Sequence, residues 1–268
     1  MRSFFFTFAP ILLSAGFVLP LIDRLVFFPD REMPPTPPGF EDRRVTTSDG
    51  VELHGWYARA ATPDAPTLLW AHGNGGNIGG RSEVQRALVA NGLNVFAYDY
   101  RGYGHSSGAP TEEGVYRDAL AAYDALVASG VEPSSIVCFG ESLGGAVTLA
   151  LAEQRRCAGV AIVSTFTTIA DVARAHYGPL GWLATGRFDS ASRVRSLDAP
   201  LFVAHGDRDE IVPYGLGIDL FSMAPEPKEF LRVDGAGHND IFAHPRILEA
   251  LAGFSRWAVE LARSPVGP

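Results

Sequence analysis

The chain has 268 residues, 22 Lys+Arg against 30 Asp+Glu, and a formal net charge of −8. An apolar share of 47% with 19% charged residues excludes an intrinsically disordered chain. The acidic balance argues against nucleic acid as a partner, because phosphate recognition needs clustered Lys and Arg, and two cysteines exclude a disulfide framework or a four-thiolate zinc site.

Residues 3–22 (SFFFTFAPILLSAGFVLPLI) carry no charged side chain. A helix needs about twenty such residues to cross a hydrocarbon core, and Pro10 and Pro20 are tolerated there. Arg2 ahead of the segment favours the amino terminus inside and the body outside. The preferred reading is a signal anchor. A cleaved signal peptide is second, because Ser14 and Gly16 offer small residues at a cleavage site. A hydrophobic arm packed on the domain itself is third. The expected division is 1–28 as anchor or signal segment, 29–42 as a proline-rich linker and 43–268 as the body, with its cap at about 165–199. The body is expected on the extracytoplasmic side, tethered to the membrane, or secreted or periplasmic if the segment is cleaved. There Cys138 and Cys157 could oxidise together. Their places in and just before apolar runs favour two buried small hydrophobes instead.

In the body, two strand-like runs surround Asp49-Gly50, a hairpin signal. Short apolar runs at 67–71, 95–98, 136–139, 160–163, 201–204 and 229–233 then alternate with helical patterns at 81–90, 112–129, 143–154, 214–223 and 245–262. Strand runs with few charges fit central strands covered on both faces. Their alternation with helices predicts an α/β fold: a mostly parallel, doubly wound sheet with right-handed crossovers and an antiparallel start. Ligands sit beyond the carboxyl ends of such strands, so the residues after each run are where chemistry is sought.

After 136–139 comes Gly140-Glu141-Ser142-Leu143-Gly144-Gly145, a G-x-S-x-G pattern between a strand and a helix. Such a turn strains the serine, holds its hydroxyl out and points helix-start N–H groups at an anion. A serine nucleophile needs a base, and the base an orienting carboxylate. The run at 201–204 leads into His205-Gly206-Asp207-Arg208-Asp209-Glu210-Ile211-Val212-Pro213, and the run ending at 233 into Asp234-Gly235-Ala236-Gly237-His238. The order is serine, acid, histidine, each at a strand end. The glycine-rich stretch 73–77 lacks the order of a phosphate-binding loop and has no lysine after it.

Together with His72-Gly73-Asn74-Gly75-Gly76-Asn77 and Asp99-Tyr100-Arg101-Gly102-Tyr103-Gly104-His105-Ser106, these motifs resemble the α/β-hydrolase superfamily from about residue 43 to 262. Within it they resemble the bud-emergence-like branch, whose members are often membrane-anchored and include protein depalmitoylases. The resemblance implies Ser142 as nucleophile, His238 as base and Asp209 as orienting acid, with Asp207 the nearest rival and Glu210 a weaker one. It implies an oxyanion hole from the N–H groups of Leu143 and Asn74, with no cofactor and no metal. His72 and His205 are read as braces of their loops. Asp99 and Arg101 are read as shaping theirs, with Tyr103 or His105 near the substrate as the competing reading.

The long connection after 160–163 holds Phe166, Tyr177, Leu180, Trp182, Leu183 and Phe188 and is expected to form a short helical cap. An apolar cap beside an anchor suggests a small-molecule or lipid-like acyl ester as substrate, with a thioester as runner-up. A peptidase of the same fold and a non-catalytic scaffold are the alternatives.

Overall fold

The computed structural model describes residues 25–179 and 186–264. The apolar stretch 3–22, and with it Leu180, Trp182 and Leu183 of the cap, lie outside the described residues. No described helix is long and apolar enough to cross a membrane.

The strands of the described residues begin with the two-residue β1 (Phe28–Pro29), then the hairpin of β2 (Phe40–Thr46) and β3 (Glu52–Ala58). Its turn ends at Gly50, whose φ of +82° explains why glycine stands there. The alternating part follows: β4 (Thr67–Ala71), β5 (Gly75–Gly76), α1 (Ser82–Ala90), β6 (Asn94–Tyr98), α2 (Glu112–Ala128), β7 (Ile136–Glu141), α3 (Leu143–Ala152), β8 (Gly159–Val163), α4 (Ile169–Tyr177), α5 (Ser190–Arg195), β9 (Leu201–Gly206), α6 (Tyr214–Met223), β10 (Lys228–Val233) and α7 (Pro245–Arg263). The large sheet runs β10-β9-β8-β7-β4-β6-β3-β2. It is parallel from β10 to β6, with β3 and β2 antiparallel at one edge. The expected fold class is the one observed.

The inner strands are apolar along their whole length because both faces are covered. Leu69, Ala71, Ile136 and Cys138 turn to the face packed by α2 and α3. Their neighbours Leu68, Trp70, Val137 and Phe139 turn to the other, where α7 packs. Phe139 and Trp70 are wholly buried, and each such side chain stabilises the fold by roughly 2–3 kcal/mol. This two-sided burial fixes the carboxyl ends of β4, β7 and β9 along one edge, where the candidate residues sit.

Three expectations are corrected. Cys138 and Cys157 are buried, but they are also bonded to each other, with Cα atoms 6.1 Å apart. Their bond ties the α3–β8 connection back to β7, which apolar patterning alone does not report. The anchor-to-linker boundary also moves. Val26 and Phe27 are buried in the body, and Phe28–Pro29 pairs in parallel with Gly75–Gly76. The proline-rich stretch is not a free tether: Pro37 is buried, and the sheet begins at Phe40 rather than at residue 43. The reason is a covalent side-chain link in the first case and long-range backbone pairing in the other two, neither of which leaves a periodic signal in the sequence.

Candidate active site

Ser142 stands between β7 and α3 with φ +52° and ψ −120°, a strained conformation for a non-glycine residue. The chain can make this turn because its neighbours lack side chains. A Cβ on Gly140 would meet the Gly144 carbonyl at 2.3 Å, and one on Gly144 would meet the Ala71 carbonyl at 2.0 Å. The N–H of Ser142 donates to Val163 O (2.8 Å), and Thr165 Oγ1 donates to Ser142 O (3.2 Å). The serine is 7% exposed.

The structure brings the sequence-predicted acid and histidine to this serine. His238 Nε2 lies 3.0 Å from Ser142 Oγ, and His238 Nδ1 lies 2.7 Å from Asp209 Oδ2. Asp209 is buried at the end of β9, and its Oδ1 accepts the N–H groups of Ile211 (3.0 Å) and Val212 (2.7 Å). Burial pushes the Asp209 pKa up, but hydrogen bonds from His205, His238 and Val212 N–H outweigh it and hold the carboxyl well below its usual range. The acid therefore stays ionised beside the imidazole. The rival Asp207 is spent on structure: it accepts from Arg232 (2.7 Å) and from Gly235 N–H (2.6 Å), bracing the loop that carries His238. Glu210 is exposed. His205 is fully buried, with Nε2 donating to Val212 O (2.9 Å) and lying 3.3 Å from Asp209 Oδ2, so it braces the acid loop as expected.

Leu143 follows the serine, and the loop that carries Asn74 passes close to it at Gly73. Helix α3 starts at Leu143, and a Cβ on Gly73 would lie 3.6 Å from Ser142 Cβ. Neither the Asn74 nor the Leu143 N–H meets an acceptor among the described residues. The carbonyls of the loop are all engaged. His72 O accepts from Tyr100 OH (2.7 Å) and Gly73 O from His72 Nδ1 (2.7 Å). Asn74 O accepts from Tyr103 OH (2.7 Å), while Gly75 O and Asn77 O accept from Arg81 (3.2 and 3.0 Å). Beneath the loop, Asp99 Oδ1 accepts Ile78 N–H (2.9 Å) and lies 3.4 Å from His72 Nε2. Burial raises the Asp99 pKa, but His54, His72 and the Ile78 N–H together leave it lowered, so a carboxylate anchors the loop.

Sequence reasoning missed two of these supports. Arg81 forks onto Glu141, the x of the serine motif (2.8 Å at the closest), and so ties the serine turn to the loop of Asn74. Burial raises the Glu141 pKa, but Arg81 more than offsets it and the carboxyl is held below its usual range. The only hint was the acidic x itself. The second is Tyr103, fully buried behind the loop rather than facing substrate. His105, its companion in that reading, is exposed and lies by β2, where its carbonyl accepts from Arg44 (3.3 Å). Arg101 shapes its loop through the carboxylates of Asp118 and Asp49 rather than through local backbone.

Beside His238 opens a cleft of about 780 Å³ with a mixed lining: Trp70, Val84, Phe242 and Leu248 are apolar, while Arg81 and the carboxylates of Asp30, Glu32, Glu83, Glu141 and Asp240 are charged. The cap is present as α4 and α5. Phe166 and Phe188 are buried and pack it to the body, whereas Tyr177 is 71% exposed.

A family model described as serine aminopeptidase, S33, within a hydrolase family, matches residues 62–190. An uncharacterized protein of Mycobacterium tuberculosis is 41% identical over 81% of this chain and 80% of its own length. The uncharacterized YfhR of Escherichia coli O157:H7 is 32% identical over 87% of each chain. Mouse alpha/beta hydrolase domain-containing protein 17C is 35% identical over 74% of this chain and 62% of its own. Among solved structures, the Pyrococcus furiosus esterase Pf2001 superposes with a TM-score of 0.71 at 20% identity, over 86% of this chain and 97% of the esterase. Sequence kinship over most of the chain, with a parallel sheet carrying a strained serine at the end of its central strand, makes this chain a member of the α/β-hydrolase superfamily.

Proposed function

We propose that the chain is a serine hydrolase that cleaves carboxylic ester or thioester bonds through Ser142, His238 and Asp209. The observation that carries this reading is the unbroken hydrogen-bonded line from Ser142 Oγ through both ring nitrogens of His238 to Asp209. His238 takes the serine proton as Oγ attacks the acyl carbonyl. The oxyanion is held by the N–H groups of Asn74 and Leu143. His238 then gives the proton to the leaving alcohol or thiol, and water repeats the sequence on the acyl-enzyme. Asp209 holds the imidazole tautomer and stabilises its cation. The cleft beside His238 gives room to one limb of the substrate.

A peptidase of the same constellation is the second reading, favoured by the description of the matching family model. An amine is a poorer leaving group than an alkoxide or thiolate, so the same machinery has less to do on an ester. A panel of p-nitrophenyl esters of increasing chain length, one acyl thioester and one aminoacyl amide separates the two. Turnover of the esters and thioester is expected; turnover of the amide alone would reverse the order. A fluorophosphonate probe is expected to label Ser142, and an unlabelled, folded protein would leave only a scaffold.

Residues 3–22 are proposed as the tether to a membrane, with the body in an oxidising compartment. The Cys138–Cys157 bond supports that side, because disulfides persist outside the reducing cytosol. Maleimide labelling of the unfolded native protein is expected only after reduction.

A further inference from the structure

The residues that leave the amino-terminal apolar segment are bound to the loop that carries Asn74. Phe28 N–H donates to Asn74 O (3.0 Å), and Asn74 Nδ2 returns a bond to Val26 O (2.9 Å). Asp30 N–H donates to Gly76 O (3.3 Å), and Asn77 Nδ2 donates to Asp30 O (3.1 Å) and Glu32 O (2.7 Å). Phe27 is 4% exposed and meets Phe188 of the cap edge-on at 6.1 Å. From the other side, Tyr103 OH donates to the same Asn74 carbonyl that Phe28 holds.

Peptide planarity makes this arrangement consequential. The Asn74 N–H points opposite to the Gly73 carbonyl, which His72 fixes. The next peptide plane is fixed through Asn74 O by Phe28 and Tyr103. Both planes that meet at the Asn74 Cα are therefore pinned, and with them the direction of its N–H. The need for pinning is plain from the sequence. Gly73 precedes Asn74 and Gly75-Gly76 follow it, and glycine restricts the backbone least of all residues. An oxyanion donor must be held to within about 0.5 Å to be useful.

We propose that residues 26–30 form a strap which, with Tyr103, positions the Asn74 N–H for the oxyanion. The chain between the apolar segment and the body then supports the reaction instead of serving only as a tether. Tyr103 and Phe27 are positioning residues: they act through Asn74 and touch no substrate. This proposal rests on the serine-hydrolase reading above.

The test uses the full chain, with Tyr103→Phe and Phe27→Ala assayed on p-nitrophenyl butyrate. Loss of a whole oxyanion donor costs about 10²–10³ in kcat, so loosening one should cost about tenfold. The expected result is kcat about tenfold lower in each variant with KM within twofold. Affinity for an alkyl boronic acid, which forms a tetrahedral adduct on Ser142, should fall by the same factor. Phe27→Leu, which keeps an apolar side chain under the strap, should recover most of the loss. Tyr103→Phe removes one oxygen and no packing, so it carries the test alone if Phe27→Ala does not fold. An active wild type with Tyr103→Phe unchanged in kcat and boronate affinity overturns the strap and leaves the hydrolase standing. A wild type inert to every ester and unlabelled by fluorophosphonate overturns both.

Discussion

Two helices of similar length border the candidate site and are built in opposite ways. Of the ten residues of α3, nine are buried; of the nine of α4, only Ala170 is. Helix α3 follows Ser142, whose side chain gives it no cap, and its N-terminal turn is packed against the end of β4 at Gly144. Helix α4 begins on an ordinary cap, with Thr168 accepting Asp171 N–H (3.1 Å), and its last four residues all face solvent. The first helix gives up an ordinary start and holds the strained Ser142 in a fixed place. The second has a good start and little packing, so it can shift at small cost. The contrast separates a fixed half of the candidate site from a half with room to shift.

The largest effects should fall on the fixed half. Ser142→Ala should lower kcat by roughly 10⁶ with the fold intact, read by ester turnover and circular dichroism. Residual turnover near the wild-type level would show that the strained serine is not the nucleophile. Asp209→Asn should lower kcat by about 10⁴, because the amide holds the wrong imidazole tautomer. It should also change acid stability. The folded pKa of Asp209 is depressed, so its contribution is present above the usual 3.8 and is lost as pH falls below it. Thermal unfolding from pH 6 to pH 2 should therefore fall less steeply in Asp209→Asn than in the wild type. Parallel slopes would mean that the ionised carboxylate adds nothing to the fold.

Glu141→Ala comes next. It leaves Arg81, with a side chain 16% exposed, without its counter-ion beneath the serine turn. Breaking such a pair should cost about 3 kcal/mol, or roughly 6–12 °C in Tm. A kcat loss beyond the stability loss is also expected, because Arg81 holds the carbonyls of Gly75 and Asn77 as well. Unchanged Tm and kcat would show that the turn and the loop are rigid without their link.

The fixed half was also the more legible one. Parallel strands buried on both faces declare themselves as apolar runs, and a strand-to-helix serine turn demands small residues at set positions. Ser142, Asp209 and His238 could therefore be read in order from strand ends. The supports behind them could not. Tyr103, Arg81 and the strap act largely through hydrogen bonds to the backbone of a glycine-rich loop, and any polar side chain or free N–H could make such a bond. The strap pairs residues 28–29 with 75–76, too short a ladder to impose alternation on the sequence. Cys138 and Cys157 read as apolar because they are buried, and burial says nothing about which thiols meet.

The smallest effect is expected on the adaptable half and tests it directly. Tyr177 ends α4 and is 71% exposed, while its neighbour His176 donates to Ile211 O (2.7 Å), two residues beyond Asp209. The end of α4 therefore reaches the acid loop while its tyrosine stays in solvent. An acyl chain running out under the cap would cover part of that ring. Covering some 40 Å² of apolar surface is worth about 1 kcal/mol at 25 cal/mol per Å². Tyr177→Ser should then raise KM for a long-chain p-nitrophenyl ester about fivefold, leave the short-chain KM and both kcat values within twofold, and leave Tm unchanged. Equal effects on short and long esters would remove α4 from the acyl path. A fall in kcat at constant KM would be more damaging, because it would mean that α4 holds the acid loop in place and belongs with α3 in the fixed half.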